Sequence, residues 1–313
     1  MAPDSFNKPG VANRPQPTVS IIIRTYNRLS LLKEAVASVM AQTYTNWELI
    51  IVDDGSTDGT PEAMELIGDP RVFLLRLTHT GNINYLINEG VQKAHGEWLA
   101  FLDSDDCWLP AKLELQLKTL SATQRKWCYC PFEFVDENNK IIYSSSEKFF
   151  PFEGSIVKEI IQAKTGITIC SVIVERKLFN EIGGFSANPE LREDYEFFLR
   201  IASKAEVAFT SQVLTRIREH PGRVYKSRKY PYDRTALAYR TFISQRPRKS
   251  LKKLAKKQVA HLLAEAAVQR FSNGEIKKGM HRLLQSLLMK DKARHWLSAC
   301  KRSMQAGYKS TFN

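Results

Sequence analysis

Residues 98–106 read Trp-Leu-Ala-Phe-Leu-Asp-Ser-Asp-Asp, an apolar run that turns without a break into a cluster of carboxylates. A short apolar run of this kind is typical of a strand buried on both faces of a sheet. The same transition occurs at residues 47–56, where Trp-Glu-Leu-Ile-Ile-Val leads into Asp-Asp-Gly-Ser. Ligands of open α/β sheets bind beyond the carboxyl ends of the strands. Both acidic clusters are therefore predicted to lie at the binding edge of one sheet.

The segments around these two strands alternate between strand and helix patterns. β-rich runs at residues 19–23 and 71–75 predict two further strands, and residues 82–94 have the apolar spacing of a helix. Another helical pattern follows the first strand, and Asn27 or Ser30 is expected to cap it. Alternation of this kind predicts an α/β fold with parallel strands.

The pattern is less regular between residues 127 and 176 and becomes helical after Arg223. Two apolar stripes flank Ser272-Asn273-Gly274, which predicts a helical hairpin. Prolines among the first residues indicate a loose leader. The sequence thus predicts a flexible leader at 1–17, an α/β domain at 18–225 and a basic helical C-terminal extension at 226–313.

The positive charge of the chain is concentrated in this extension. The net charge is +13, but residues 226–313 contain 22 basic and 4 acidic residues, a balance of +18. The other 225 residues contain 24 basic and 29 acidic residues, a balance of −5. Such a tail is expected to be attracted to an anionic surface such as phospholipid, nucleic acid or an acidic polymer. The alternative is that it only aids solubility.

The cysteines are few, odd in number and scattered, so no disulfide framework or zinc pattern is predicted; they are Cys107, Cys128, Cys130, Cys170 and Cys300. This usage favours a reducing, cytoplasmic compartment. The N-terminus has no signal-peptide pattern, and no apolar run approaches the roughly 20 residues of a membrane span. Contact with the inner face of the plasma membrane is therefore expected to be peripheral.

The pair Asp103 and Asp105 is the central chemical motif. Hard cations such as Mg²⁺ and Mn²⁺ prefer oxygen ligands and bridge to diphosphate oxygens. One carboxylate can bind the cation while the other reaches a sugar or ribose hydroxyl, or both can bind the cation. Asp-x-Asp alone is a weak signal, but here it follows an apolar strand and precedes Trp108-Leu109-Pro110.

The second motif is Asp53-Asp54-Gly55-Ser56. A carboxylate here can accept the imide N–H of uracil or a ribose hydroxyl, and Gly55 lets a ligand approach the backbone. The same residues also serve as a turn and helix cap, and one turn can do both.

Two later positions are candidates for catalysis and metal binding. Asp194 is the candidate base that takes a proton from an acceptor hydroxyl; alternatively, it neutralises the positive end of the helix that follows. His220 can ligate the metal or contact a diphosphate, with Arg218 or Arg223 assisting. Alternatively, His220 is an uninvolved loop histidine.

Together, these segments resemble family 2 glycosyltransferases of the bacterial polysaccharide type, which have the GT-A fold. The resemblance covers about residues 18–223, and the ordered series is specific although each piece is not. It is carried by Thr18–Ile23, Thr25–Arg28, Ala41–Tyr44, Trp47–Asp58, Asn88–Gly90, Gly96–Trp98, Asp103–Asp106, Gly183–Phe185 and Glu193–Asp194.

The resemblance implies a Rossmann-like mixed sheet flanked by helices, and an inverting transfer by direct displacement with Asp194 as base. The donor is expected to be a nucleotide-sugar, most often a UDP-sugar, and the acceptor a saccharide or lipid-linked saccharide. The cofactor is expected to be Mn²⁺ or Mg²⁺, held by Asp105, Asp103 and His220. The expected donor-binding residues are Thr25, Asn27, Asp54, Asn82, Asp103 and Asp105.

Two positions depart from the family pattern. Many relatives have proline where Arg24 stands, and many have arginine where Ile87 stands, before Asn88. Asn82, or a basic residue elsewhere in the chain, is expected to replace the contact that this arginine makes with the donor. Neither departure affects the acidic residues that the chemistry needs.

Rival functions fit the sequence less well. A sugar nucleotidyltransferase or a dinucleotide-dependent oxidoreductase needs a glycine-rich phosphate loop after the first strand. Residues 23–28, Ile-Arg-Thr-Tyr-Asn-Arg, contain no glycine. A nucleic-acid-binding function led by the tail is not expected, because zinc-finger and RNA-recognition signatures are missing from it. A protein that binds sugar nucleotide or an anionic polymer without catalysis is the remaining alternative.

Overall fold

The computed structural model describes residues 16–188, 190–191, 193–220, 231–245 and 247–289. The chain divides into two compact units. The first unit comprises Met1–Ile156, Lys164–Pro189 and Ile201–Pro221, and the second comprises Val157–Ala163, Glu190–Arg200 and Gly222–Asn313. Most of the predicted leader, Arg223, Cys300 and the expected boundary at 225 lie outside the described residues.

The core of the first unit is a seven-stranded mixed sheet in the order β10-β6-β9-β4-β1-β2-β3. Its strands are β1 Val19–Thr25, β2 Trp47–Asp53, β3 Val72–Arg76, β4 Trp98–Asp103, β6 Trp127–Tyr129, β9 Val172–Glu175 and β10 Ala208–Phe209. β4, β1, β2 and β3 run parallel, whereas β9 is antiparallel to both β4 and β6. Helices α1 Leu29–Met40, α2 Thr60–Glu65, α3 Ile83–Gln92, α4 Lys112–Thr123 and α6 Arg176–Glu181 belong to this unit.

The register of the parallel strands aligns their carboxyl ends. Thr25 at the end of β1 is opposite Asp53 of β2, and Arg24 is opposite Asp103 of β4. The backbone N–H of Asp54 also donates to the carbonyl of Thr25 at 3.0 Å. The prediction that both acidic clusters lie at one sheet edge is therefore confirmed.

The first helix is capped from a distance, contrary to the sequence prediction. The predicted side-chain cap from Asn27 or Ser30 is wrong, since the helix makes no side-chain hydrogen bond at its N-cap residue, Arg28. Instead, Asp58 Oδ2 accepts the N–H of Leu29 at 2.9 Å. The negative carboxylate satisfies one orphan donor and complements the positive end of the helix.

The first unit contains a second sheet of four strands, in the order β5-β11-β7-β8. These strands are β5 Cys107–Trp108, β7 Phe132–Val135, β8 Ile141–Ser144 and β11 Thr215–Arg218. β5 pairs antiparallel with β11, joining Trp108 to Thr215 and Cys107 to Arg216. This pairing brings the segment after β4 beside the segment after β11, which contains His220.

The second unit is helical. It contains α5 Val157–Ile161, the first part of α7 Glu193–Lys204, α8 Pro231–Ser244, α9 Lys249–Ser272 and α10 Ile276–Leu288. α9 and α10 form the predicted hairpin, which turns at Gly274 with a φ of 75°. Val259, Leu263 and Ala267 of α9 are buried. Among the described residues, no helix has the length and apolar character needed to cross a bilayer.

Candidate active site

Asp105 lies at the centre of the binding edge of the large sheet. Its Oδ2 accepts a hydrogen bond from the Arg28 guanidinium at 2.5 Å and lies 3.0 Å from Nε2 of His220. Only 10% of the Asp105 side chain is exposed. This edge thus brings together Asp105 after β4, Arg28 before α1 and His220 after β11.

Asp103 has a second arginine as its partner. Nη2 of Arg24, from the end of β1, lies 2.9 Å from Asp103 Oδ1, and both side chains are partly exposed. Arg24 therefore places positive charge beside the Asp-x-Asp motif at the position where many relatives have proline. The two carboxylates are each balanced by one guanidinium.

The surroundings of Asp105 keep it ionised. Burial alone raises its pKa, but the charge of Arg28, the hydrogen bond from His220 and the charge of Arg24 lower the pKa below its usual value. Asp105 therefore remains a carboxylate at neutral pH and can act as an anionic ligand.

Asp106 has a structural role. Asp103, Asp106 and Cys170 have ligand atoms within 4.8 Å of one another. However, Asp106 Oδ1 accepts the backbone N–H of Arg218 at 3.0 Å, and its Oδ2 accepts the thiol of Cys170 at 3.3 Å. Burial raises the pKa of Cys170 well above its usual value, so the sulfur stays protonated. This cluster ties β4 to β11, and its protonated thiol is a poor metal ligand.

The Asp54 carboxylate holds the loop at residues 79–81. Its Oδ1 accepts the N–H and hydroxyl of Thr80 at 2.8 and 3.1 Å, and its Oδ2 accepts the N–H of Gly81 at 2.8 Å. Nδ1 of His79 lies 3.0 Å from Asp54 Oδ2. The buried carboxylate thus fixes the loop, and the predicted direct contact with a nucleoside remains a prediction.

The loop at 79–81 places an aromatic pair beside Asp54. The rings of Tyr26 and His79 stack with centroids 4.0 Å apart and an interplanar angle of 23°. Tyr26 is 42% exposed, so the pair presents an accessible ring face. His79 was not among the predicted site residues, because only the folded loop brings it next to Tyr26.

The other residues predicted to bind the sugar donor differ in whether their polar side-chain atoms already have hydrogen-bond partners. Thr25 is buried at the end of β1, and no described residue accepts or donates a hydrogen bond at its Oγ1. Asn27 Oδ1 accepts the N–H of Thr57 at 2.8 Å, and Asn82 Oδ1 accepts the N–H of Tyr85 as the cap of α3. Both asparagines therefore stabilise the local backbone, and their donor contacts remain predictions. Ile87 packs in the core.

Asp194 lies in the first turn of α7 within the second unit. Its Oδ1 accepts the N–H of Tyr195 at 3.2 Å. This contact is consistent with the alternative of a helix-terminal carboxylate, and the role as base remains a prediction.

Replacing Asp54 tests the coupling between this carboxylate and the loop. We expect Asp54→Ala to weaken donor binding at least about tenfold and to destabilise the fold by about 2 kcal/mol, because buried charge-assisted hydrogen bonds are lost. Calorimetric titration with a UDP-sugar measures donor binding, and thermal unfolding measures the stability of the fold. Asp136→Ala is the matched control, since Asp136 also accepts two backbone N–H groups, from Asn138 and Lys140. Unchanged donor affinity in Asp54→Ala would contradict a link between the loop and the donor.

A mixed α/β sheet whose parallel strands end at Asp53 and Asp103, each followed by further carboxylates, defines a GT-A-type fold with a candidate sugar-nucleotide site. The family model for glycosyl transferase family 2 matches residues 20–183. The chain belongs to this family, as the sequence predicted.

A curated relative from Escherichia coli carries a specific activity in its name. This protein, UDP-Glc:α-D-GlcNAc-diphosphoundecaprenol β-1,3-glucosyltransferase WfgD, is 32% identical over 183 residues, which are 58% of this chain and 69% of the relative. The first curated relatives, glycosyltransferases from Rickettsia species, are 30–31% identical. This chain spans only 30–66% of their length.

Two solved structures share the fold at low sequence identity. Residues 1–349 of S. aureus TarS, in complex with UDP-GlcNAc, have a TM-score of 0.62 and 18% identity, over 92% of this chain and 81% of that fragment. The mannosyltransferase PcManGT of Pyrobaculum calidifontis, in complex with GDP-Man and Mn²⁺, has a TM-score of 0.60 and 18% identity. That match covers 95% of this chain and 82% of PcManGT. Both likenesses support the GT-A fold.

Proposed function

We propose that this protein is an inverting, metal-dependent glycosyltransferase that moves a sugar from a UDP-sugar to a hydroxyl of a lipid-linked saccharide in surface polysaccharide or glycolipid assembly. The observation that carries the proposal is the contact between Asp105 and His220 at the carboxyl edge of the parallel strands, beside Asp103.

The donor nucleoside is proposed to bind between the end of β1 and the loop at 79–81. The buried Oγ1 of Thr25 offers a hydrogen-bonding group, and the Tyr26–His79 pair offers a ring face for a base. UDP is favoured because WfgD is named for UDP-Glc and TarS was solved with UDP-GlcNAc. PcManGT was solved with GDP-Man, so the nucleobase of the donor is to be determined by experiment.

The side-chain atoms that could bind a metal at this edge fit a divalent cation. The Asp105 oxygen and the His220 nitrogen are 3.0 Å apart. Carboxylate oxygen is a preferred ligand of Mg²⁺ and Mn²⁺, and the neutral imidazole nitrogen of histidine is a common metal ligand. Asp105 and His220 would hold Mn²⁺ or Mg²⁺, with Asp103 completing the set or binding ribose. A bound cation would offset the charge that develops on the departing diphosphate.

Arg24 and Arg28 supply fixed positive charge at the same edge. Each guanidinium contacts one carboxylate of the Asp-x-Asp motif, and a diphosphate bound there would be within their field. Arginine donates to phosphate oxygens in fixed geometry, so these two residues are proposed to orient the diphosphate for departure.

The proposed transfer is a single displacement with Asp194 as the base. The acceptor oxygen forms a bond to the anomeric carbon while the bond from that carbon to the diphosphate breaks. The acceptor proton passes to the Asp194 carboxylate, and the nucleoside diphosphate leaves with the bonding electrons. Attack on the face opposite the leaving group inverts the anomeric configuration.

The acceptor is proposed to be lipid-linked and reached from the inner face of the plasma membrane. WfgD acts by its name on a diphosphoundecaprenol-linked sugar. The +18 balance of residues 226–313 gives this chain an attraction to anionic lipid surfaces.

A donor panel tests the proposal. Hydrolysis and binding are measured for UDP-, GDP- and dTDP-sugars with Mn²⁺, Mg²⁺ or a chelator, and the anomeric configuration of any product is determined by NMR. We expect one UDP-sugar to turn over only with a metal. Binding of a sugar nucleotide with neither hydrolysis nor transfer to lipid-linked acceptors would favour the non-catalytic alternative. Failure of every donor to bind would refute the proposal.

A further inference from the structure

The last described helix, α10, has an apolar face that no described residue covers. Its side chains recur at helical spacing, and each is between 41% and 80% exposed; they are Ile276, Met280, Leu284, Leu287 and Leu288. The buried residues of α10 are Gly279, Leu283 and Ser286. Ser286 donates to the carbonyl of Ala260 in α9 at 2.7 Å, so the helix packs through a different face. We call the five exposed side chains the apolar stripe.

Two carboxylates of the same helical unit, Asp233 and Glu275, are paired with cations. Asp233 pairs with Arg270 at 2.6 Å and with Arg282 at 2.7 Å. Glu275 pairs with Arg270 at 2.8 Å and with Lys278 at 3.6 Å. The negative charge of these two residues is therefore neutralised by ion pairs within the unit.

Six lysines of α9 and α10 make no ion pair with a described carboxylate. Five of them occupy the first three turns of α9, and the sixth is on α10 next to Ile276; they are Lys249, Lys252, Lys253, Lys256, Lys257 and Lys277. The described part of the unit thus combines six lysines that pair with no described carboxylate with an exposed apolar stripe. An amphipathic helix with this composition is suited to the headgroup region of an anionic bilayer.

We propose that α10 lies in the interface of an anionic phospholipid bilayer, with the apolar stripe among the acyl chains and the six lysines at the lipid phosphates. This inference rests on the proposed function, because a lipid-linked acceptor is presented at such a surface. A bilayer satisfies both features, whereas a nucleic acid offers no apolar phase to the stripe. A second copy of this unit would bring like charges together.

Vesicle flotation of the full chain tests the proposal. Phosphatidylcholine vesicles are compared with vesicles of phosphatidylcholine and phosphatidylglycerol. We expect strong, salt-sensitive binding only to the anionic vesicles. Leu284→Gln/Leu288→Gln should lower the partition coefficient at least about tenfold. Replacing Lys252, Lys253, Lys256 and Lys257 with glutamine should lower it by more than about a hundredfold.

Matched variants in the first unit test whether removing exposed apolar or lysine side chains elsewhere on the surface also lowers vesicle binding. Leu66 and Ile142 are 84% and 52% exposed, close to the 80% and 55% of Leu288 and Leu284. Leu66→Gln/Ile142→Gln should therefore bind vesicles like the wild type. Glutamine at Lys118, Lys140, Lys164 and Lys177 removes the same charge from exposed sites outside the helical unit and should have a much smaller effect. Circular dichroism checks that each variant is folded.

Two results would overturn the proposal. The first is unchanged affinity of Leu284→Gln/Leu288→Gln for anionic vesicles, which would leave the stripe without a role at the bilayer. The second is a dimer that this variant converts to a monomer in light scattering while vesicle binding persists, which would assign the stripe to self-association. Donor hydrolysis is followed in the same samples without vesicles. Vesicle binding by a chain that neither binds nor hydrolyses any donor refutes the proposed function alone, and donor hydrolysis without vesicle binding refutes the membrane proposal alone.

Discussion

Asp105→Asn is expected to lower sugar transfer at least about a thousandfold, because several kcal/mol of charge stabilisation on the leaving diphosphate are lost with the cation. The substitution removes the anionic oxygen that lies between Arg28 and His220 and preserves the volume of the side chain. Mn²⁺ binding should fall together with turnover. Electron paramagnetic resonance of Mn²⁺ in the presence of UDP measures the first, and a coupled assay of UDP release measures the second.

Asp69→Asn is the control for this experiment. Asp69 also pairs with an arginine, Arg71 at 2.7 Å, but it precedes β3 at the opposite end of the sheet from the acidic clusters. Its replacement should leave turnover and Mn²⁺ binding unchanged. Wild-type affinity for Mn²⁺ in Asp105→Asn, together with normal turnover, would show that the cation does not depend on this carboxylate.

The architecture of the first unit was largely predictable from the sequence. The apolar runs that end in Asp53 and Asp103 gave two parallel strands, and their carboxyl ends meet as expected. The antiparallel insertion of β9 between β4 and β6 was not predicted, because a four-residue apolar strand contains no signal for its direction or neighbour. The hairpin of α9 and α10 followed from two strong apolar stripes.

The partners of the site residues were less accessible to sequence reasoning. Asp103 and Asp105 were selected as ligands, but their contacts with Arg24 and Arg28 depend on strand register. Asp54 was interpreted as a nucleoside ligand, whereas in the structure its carboxylate accepts three hydrogen bonds from Thr80 and Gly81 and lies beside His79. Interactions between groups 25 to 115 residues apart are set by tertiary packing, and local spacing does not encode them.

The position of Arg24 illustrates what the structure adds to a family pattern. In the sequence, arginine in place of proline was only a departure. In the structure, the Arg24 guanidinium lies 2.9 Å from Asp103 and contributes to the low pKa of Asp105. The substitution therefore changes the electrostatics of the proposed diphosphate site while the acidic ligands are retained.

Asp194→Asn is expected to lower the turnover number for transfer by about a thousandfold, because removal of a general base costs roughly 10² to 10⁴ in rate. The amide retains an oxygen that can accept the N–H of Tyr195, so α7 should keep its first turn. The dissociation constant for UDP-sugar with metal should change by less than about twofold. Rapid-quench measurement of transfer and calorimetric titration of the donor separate the two quantities.

The comparison with Glu190→Gln distinguishes a base from a helix-terminal charge. Glu190 is an exposed carboxylate four residues before Asp194 in the sequence, and its replacement removes the same charge. A carboxylate that only complements the positive end of the helix contributes about 0.3–1 kcal/mol to stability and leaves the rate of transfer nearly unchanged. Asp194→Asn would then resemble Glu190→Gln in both assays, and the base would have to be sought elsewhere. A selective loss of turnover at constant donor affinity is the result expected of a group that takes the acceptor proton.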